Sequence, residues 1–583
     1  MNILKNYNLI SKILNVVGLV IFILAISIYL LKADYFFNFT DESFYLLWAE
    51  QPGNFYGTTT HFGYLSNYIY RDLSYSIHAV KIFIIITTAL TLLFFCYNLK
   101  FFLKKNFSKL NFLTNTFLFL VALSGLYIFN FFFVVLSYNW INYIGILLVT
   151  IGLLRESGSV FVKNKIFLIQ NIKNVIIISS GLFFIFFSKL STYFIMNILI
   201  FSWFYIYTKN SLNRLLLIQI FSICLIILFI YFHFGSFQNF VNITSYGFRH
   251  ESILAENRNI IGVVKSPLVS LFTGLIFFIK NYFFVFLGTC FFTFFLFFIS
   301  LFDKKITDIS ILFVLLCFSI LGLPYWFYNF YLLILIFITT LFIKKNIIFS
   351  KIYFKKNIVI IFFGFCLPFA FSFGTANNII YHSFYVSIFY LVAFFLIVIS
   401  YYKNLKFILL FFTIFISISF FYNFKRSFLL PYGEKSTVTI FSEVSILNRD
   451  QKIKVSEATA TYIKEITKVL LANNWKKDNY ILDLTGISPG TIYVLQGKVL
   501  YFSWFNAYFK GASNFLASIL KEGNRELIKS SWLITSDNKI YNLSINKLFH
   551  EIGINLYEDY IKILTLNYPL EPNTNFTFWK PKN

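Results

Sequence analysis

Residues 34–81 read DYFFNFTDESFYLLWAEQPGNFYGTTTHFGYLSNYIYRDLSYSIHAVK and lie between the first two long apolar runs of the chain. Five of the ten acidic residues before position 425 fall in this one stretch: Asp34, Asp41, Glu42, Glu50 and Asp72. The sequence on either side is almost continuously apolar, broken by short basic loops. A segment of carboxylates between two such runs reads as a loop that leaves a membrane, does chemistry or binds charge at its surface, and returns.

The chain has 583 residues, of which 58% are apolar, 22% aromatic and only 13% charged, a composition outside the range of soluble domains. Its apolar runs approach the roughly 20 residues needed to cross about 30 Å of hydrocarbon. The expected spans are 12–31, 79–99, 112–134, 139–154, 174–188, 190–207, 215–233, 282–302, 309–323, 326–343, 357–373, 384–402 and 407–424. Placing the N-terminus in the cytoplasm puts 21 of the 29 basic residues before position 425 in cytoplasmic loops, the asymmetry that orients membrane proteins. The same frame leaves seven of the ten acidic residues outside. Carboxylates barely affect orientation, so their bias needs another cause, and an external site supplies one.

The net charge of +25 is accounted for by these orienting loops, and with no basic surface gathered in one place nucleic-acid binding is excluded. Lys5 and Lys12 precede an apolar run with no small-residue cleavage site, which reads as an uncleaved first span. The 83 phenylalanines and frequent Ile and Asn point to an AT-rich, bacterial source. Cys96, Cys224, Cys290, Cys317 and Cys366 all sit in or beside apolar runs, and no CxxC pair occurs. Buried thiols are expected, with neither disulfides nor a thiolate zinc site.

Residues 1–424 therefore read as a polytopic α-helical membrane domain, with 33–78 as its first external loop. Residues 425–583 change composition and read as a soluble external α/β domain. Helical periodicity runs through 456–471, strands are expected at 480–484 and 532–535, and helices at 512–520 and 545–552. The turn at 485–490, TGISPG, has the residues to cradle an anion or simply to reverse the chain.

Within the first loop, DESFYLLWAE (41–50) reads as a short helix capped by Thr40 or Asp41, with Phe44, Leu47 and Trp48 on one face suited to the membrane interface. Its two leading acids suit either chemistry or the helix dipole. Lys189, between two apolar spans, is a functional candidate by its burial cost, or a side chain that snorkels to water. Arg249, His250 and Arg258 form a second basic group, next to Glu251 and Glu256 that could pair with them. Arg71 has Asp72 or Glu50 as a pairing partner, and His61 and His382 lack the spacing of metal ligands.

The segment DESFYLLWA resembles the motif in the first external loop of GT-C superfamily membrane glycosyltransferases, the protein O-mannosyltransferases and the lipid A aminoarabinose transferase in particular. His61-Phe62-Gly63-Tyr64 followed by SYSIHAVKIF, with Lys81 at a usually basic position, is similar to the same family's run into its second span. Residues 136–154, 181–194 and 373–378 resemble later segments in order. Many relatives carry an acid near 136–140, where this chain has Asn139, so metal-independent chemistry is expected and a divalent metal is the alternative.

The resemblance implies a sugar donor on a polyprenyl phosphate and transfer on the periplasmic face of a bacterial inner membrane. The acceptor would be lipid A, another glycolipid, a polysaccharide or a protein. Such a reaction needs a carboxylate within about 3 Å of the acceptor hydroxyl and cations beside the departing phosphate. Asp41 is then the general base, with Glu42 as alternative or structural partner. Lys189, Arg249, His250 and Arg258 are phosphate candidates, and His61, Arg71 and Asn139 are loop or acceptor candidates. An O-antigen polymerase or ligase and a non-enzymatic lipid-linked glycan transporter are the rivals. The first relies on a large late basic loop, the second on repeated halves and mid-span charges, and neither feature is evident here.

Overall fold

The computed structural model describes residues 2–254, 353–374, 382–401 and 441–582, apart from gaps at 56–57, 107–113, 132–133, 159–164, 208–211, 507–508, 510, 538–544 and 572, with a few isolated residues between 269 and 280 and between 416 and 429. The expected spans 282–302, 309–323 and 326–343, most of 407–424, and Arg258 lie outside the described residues.

The chain is mainly helical, with a small sheet region near its C-terminus. Helix α1 (Asn2–Leu31) leads into the acidic loop, which holds α2 (Asp41–Glu50) and α3 (Phe62–Asp72). There follow α4 (Ile77–Asn106), α5 (Thr114–Gly125), α6 (Ile128–Phe131), α7 (Tyr138–Gly158), α8 (Lys165–Ser188), α9 (Leu190–Tyr207), α10 (Leu212–Phe234) and α11 (Phe237–Leu254). Two further apolar helices are α12 (Tyr353–Ser372) and α13 (Ile388–Tyr401).

Among the described residues two helices, over 77–104 and 212–234, are long and apolar enough to cross a membrane; 15–31, 172–188, 190–206 and 361–372 are shorter apolar helices. The expected thirteen crossings are thus not supported by the described helices. The breaks at Lys189 and Ser372 fall at or within one residue of the expected ends of 174–188 and 357–373, whereas 112–134, expected as one span, divides into α5 and α6. On α10, Leu216, Leu217, Ile220, Leu228 and Phe232 are exposed, an apolar surface suited to lipid.

Helix α7 packs along α8 and α4, and α12 packs along α13 and α9. Gly145 and Gly181 make the α7–α8 approach possible: a Cβ on either would stand 2.7–2.8 Å from the other's carbonyl oxygen. Helices α8 and α9 turn back at Lys189 as a hairpin, since Ser179 of α8 bonds Ile218 of α10 while Asn197 of α9 meets Gln219 one residue on. Against the expectation of buried thiols, Cys96 is buried, Cys366 half-buried and Cys224 exposed on α10, and Cys290 and Cys317 lie outside the described residues.

The C-terminal region begins with an antiparallel hairpin, β1 (Phe441–Ser445) and β2 (Lys452–Ser456). A five-stranded mixed sheet follows in the order β4-β3-β5-β7-β6. Its strands are β3 (Tyr480–Asp483), β4 (Lys498–Val499), β5 (Trp532–Ser536), β6 (Tyr560–Asn567) and β7 (Asn575–Pro581). The first three pair in parallel and the last two add antiparallel. Helices α14 (Glu457–Ala472), α15 (Pro489–Val494) and α16 (Ala512–Glu522) lie among them. The apolar core of this region is continuous with that of the acidic loop and the helices.

That continuity has a specific anatomy. Phe37 N–H donates to the Lys454 carbonyl of β2, and Gly490 N–H of α15 donates to the Phe39 carbonyl. Gln51 spans Gly497 and Val499 with its amide, and Tyr70 bonds Tyr493 through their hydroxyls at 2.6 Å. The acidic loop is therefore roofed by the C-terminal region.

Candidate functional site

Asn38, not Thr40 or Asp41, caps α2 with its side chain. Its Oδ1 accepts from Thr40 N–H at 3.1 Å and from Glu42 N–H at 3.2 Å, and Glu42 Oε2 accepts from Asn38 N–H at 2.8 Å. This is a reciprocal arrangement of the capping-box kind, one residue longer than usual. The other Glu42 oxygen faces Lys81 Nζ at 2.8 Å, with both side chains buried. Burial raises the Glu42 carboxyl from its ordinary range, while Lys81 and the Asn38 amide pull it down. Glu42 is thus held by α2's cap and by Lys81 of α4.

The aromatic face of α2 does not meet a membrane interface. Leu47 and Trp48 are buried, Trp48 stacks on Phe55 at 4.9 Å, and Phe44 packs against Phe502 and Trp504 of the C-terminal region. The late residues 502–504, invisible to a reading confined to the loop, supply the partner rings.

Asp41 is the half-buried acid at the start of α2. Its charge reaches the hydroxyl of Tyr138, the first residue of α7, whose polar neighbours are the Tyr45 and Asn139 side chains. One turn further along α7, Asn142 Nδ2 lies 3.4 Å from Thr192 Oγ1 of α9. Thr192 in turn donates to the Ala370 carbonyl at 2.9 Å, and Lys189 Nζ donates to the Phe371 carbonyl at 2.9 Å. Lys189 does not snorkel: it is 6% exposed, at the carbonyl end of α12, where a cation suits the helix dipole. The His382 ring lies 6.1 Å from that of Phe371, within the electrostatic reach of Lys189. A polar seam therefore runs from Asp41 through Tyr138, Asn139, Asn142 and Thr192 to Lys189 and His382, walled by apolar helices.

The other candidates sit elsewhere. His61 is buried, with Nε2 2.9 Å from Thr244 Oγ1, and burial lowers its pKa to about 4, so the ring is neutral at neutral pH. Arg71 is exposed, 3.6 Å from Asp72. Arg249 pairs with Glu522 of α16 at 2.7 Å, and His250 Nδ1–H donates to the Tyr246 carbonyl at 2.8 Å while the ring packs on Phe515. Arg249 and His250 thus join α11 to the C-terminal region. In the 485–490 turn the anion is the chain's own: Asp483 accepts from Thr485 N–H at 2.8 Å, Thr485 O–H at 2.5 Å and Ser488 N–H at 3.3 Å.

No protein-family model, curated protein or solved structure matches the chain. Its chemistry is read from its own residues. Among the described residues no group of three His, Cys, Asp or Glu side chains is placed to hold a metal ion. Sequence reasoning missed Tyr138, Asn142 and Thr192. The signal was present in LSYNWINYIG (136–145), two asparagines three apart in an apolar run, which share one helix face. It also missed Arg449, which pairs with Glu50 and bonds both Tyr70 and Tyr493 at 3.1 Å.

Proposed function

We propose that this protein is an integral membrane glycosyltransferase of GT-C type, moving a sugar from a polyprenyl phosphate to an acceptor hydroxyl at the external face of a bacterial inner membrane. The observation that carries the reading is the polar seam, with a carboxylate at the head of the acidic loop and a buried ammonium at its far end. Ionisable and amide groups inside an apolar helical bundle are costly, and their gathering along one line is a mark of function.

In the proposed reaction the acceptor oxygen attacks the anomeric carbon as the bond from that carbon to the phosphate oxygen breaks. The electron pair leaves with the lipid phosphate, whose growing charge Lys189 offsets. The acceptor proton passes to Asp41, a carboxylate that retains partial access from outside. Glu42, Lys81 and Asn38 fix α2 and so fix Asp41. The orientation implied is N-terminus inside, C-terminal region outside.

The test is Asp41→Asn in the producing cells, with envelope glycans analysed by mass spectrometry. Loss of one defined sugar at normal protein abundance is expected. An unchanged glycan profile in a full deletion would overturn the assignment.

A further inference from the structure

The seam contains two acceptors with nothing to accept. Asn139 Oδ1 and Asn142 Oδ1 are buried and have no hydrogen-bond partner, on residues 1% and 0% exposed. Turning the Asn142 amide over adds no donor for its oxygen, since Thr192 Oγ1, which faces the amide nitrogen, already donates to the Ala370 carbonyl. A buried carbonyl left without a donor is expensive, and two on adjacent turns of one helix face are seldom retained without a ligand. Ser387 Oγ, just before α13, is likewise without a partner.

The missing partner must donate. A phosphate oxygen accepts and cannot satisfy an amide carbonyl, so the phosphate belongs with Lys189. Sugar hydroxyls or an amino group donate, and Asn139 and Asn142 lie on the line from the proposed phosphate site to Asp41, where the anomeric carbon must be. We infer that Asn139 and Asn142 form the sugar subsite, accepting hydrogen bonds from hydroxyl or amino groups of the transferred sugar and so selecting glycosylated over bare polyprenyl phosphate. This rests on the glycosyltransferase reading. A site built to bond a hydroxyl rejects the ligand lacking it, because its own polar groups are then stranded.

The experiment uses the full chain in lipid nanodiscs and measures affinity for undecaprenyl phosphate, undecaprenyl phosphate glucose and undecaprenyl phosphate mannose. Wild type is expected to prefer at least one glycosylated lipid. Asn142→Leu should lower that preference about tenfold, the equivalent of one hydrogen bond, with unchanged affinity for undecaprenyl phosphate. Asn139→Leu should act similarly, whereas Lys189→Met should weaken all three lipids. Without ligand, Asn142→Leu should melt no lower than wild type, because it removes a stranded polar group.

A preference untouched in both asparagine variants overturns the subsite, as does Asn142→Leu melting lower and losing all three lipids alike. Wild type that binds no lipid overturns the glycosyltransferase reading and the subsite with it. Wild type that binds them all equally overturns the subsite alone.

Discussion

His61 shows how burial decides the role of a single residue. Its pKa of about 4 lies below the ordinary 6.5 of an exposed imidazole, because the folded site disfavours the cation. Its contribution to stability is therefore whole above about pH 6.5 and is lost as pH falls toward 4, while the unfolded chain takes up the proton. The difference between 6.5 and about 4 corresponds to at most about 3–4 kcal/mol. Asp483 runs the other way: burial lifts its pKa to about 6, so its contribution is whole below about pH 4 and is lost as pH rises through 6. Melting of the solubilised chain between pH 7.5 and 4.5 should thus be less acid-sensitive in His61→Gln than in wild type. An identical slope would refute the buried neutral imidazole. The Glu42–Lys81 pair makes a second residue-scale prediction. Lys81→Met strands a buried carboxylate and should cost about 3–5 kcal/mol, seen as a large drop in melting temperature. Adding Glu42→Gln, which keeps an acceptor for Asn38 N–H, should restore much of it; no recovery would show that Lys81 acts through its packing.

Elements were legible where one period dominates. Of the α14 face that spacing implies, Tyr462, Ile463, Ile466 and Leu470 are buried, Val469 is half-buried and Ala458 is exposed, and α16, β3 and β5 begin where expected. Strands β6 and β7 were missed because their alternation is mixed: Lys562 and Thr565 interrupt one, Asn575 and Thr577 the other, and their pairing carries a bulge between Lys562 and Leu564. In the helical part, long apolar composition overstates continuity. It registers the break at Lys189 between 174–188 and 190–207, but not its fastening, where Ser191 donates to the Phe373 carbonyl at 2.8 Å beside the Lys189 and Thr192 bonds. Three side chains stapling one helix hairpin to the carbonyl end of another are a tertiary fact; Lys189 stood out in the sequence, but Ser191 and Thr192 read as ordinary polar residues at a span end. The acids of α2 were legible as a cluster at the head of a short helix. Which of them is sealed was not, because Lys81 lies 39 positions away.

At the scale of the whole molecule, the reading of 425–583 as a separate external domain missed its main physical consequence, the roof it forms over the acidic loop. The contacts join residues some 400 positions apart, beyond any local pattern: Phe37 with Lys454, Glu50 with Arg449, Tyr70 with Tyr493. Gly490 is where the approach is closest. A Cβ there would lie 2.4 Å from the Phe39 ring and 2.5 Å from its carbonyl oxygen, and backbone cannot yield as a flexible side chain would. Phe39 adjoins Asn38, the cap of α2, so displacing it displaces Asp41. Gly490→Val should therefore raise amide hydrogen exchange across residues 36–50 and abolish the sugar modification, with helical content unchanged. Arg449→Met, which removes the ion pair and leaves the backbone contacts, should raise exchange less. Asp41→Asn should abolish the modification without raising exchange, which separates loss of the reacting group from loss of its support. If Gly490→Val keeps both wild-type protection and the wild-type glycan profile, the C-terminal region does not hold the loop in place, and the seam must be organised by the helices alone.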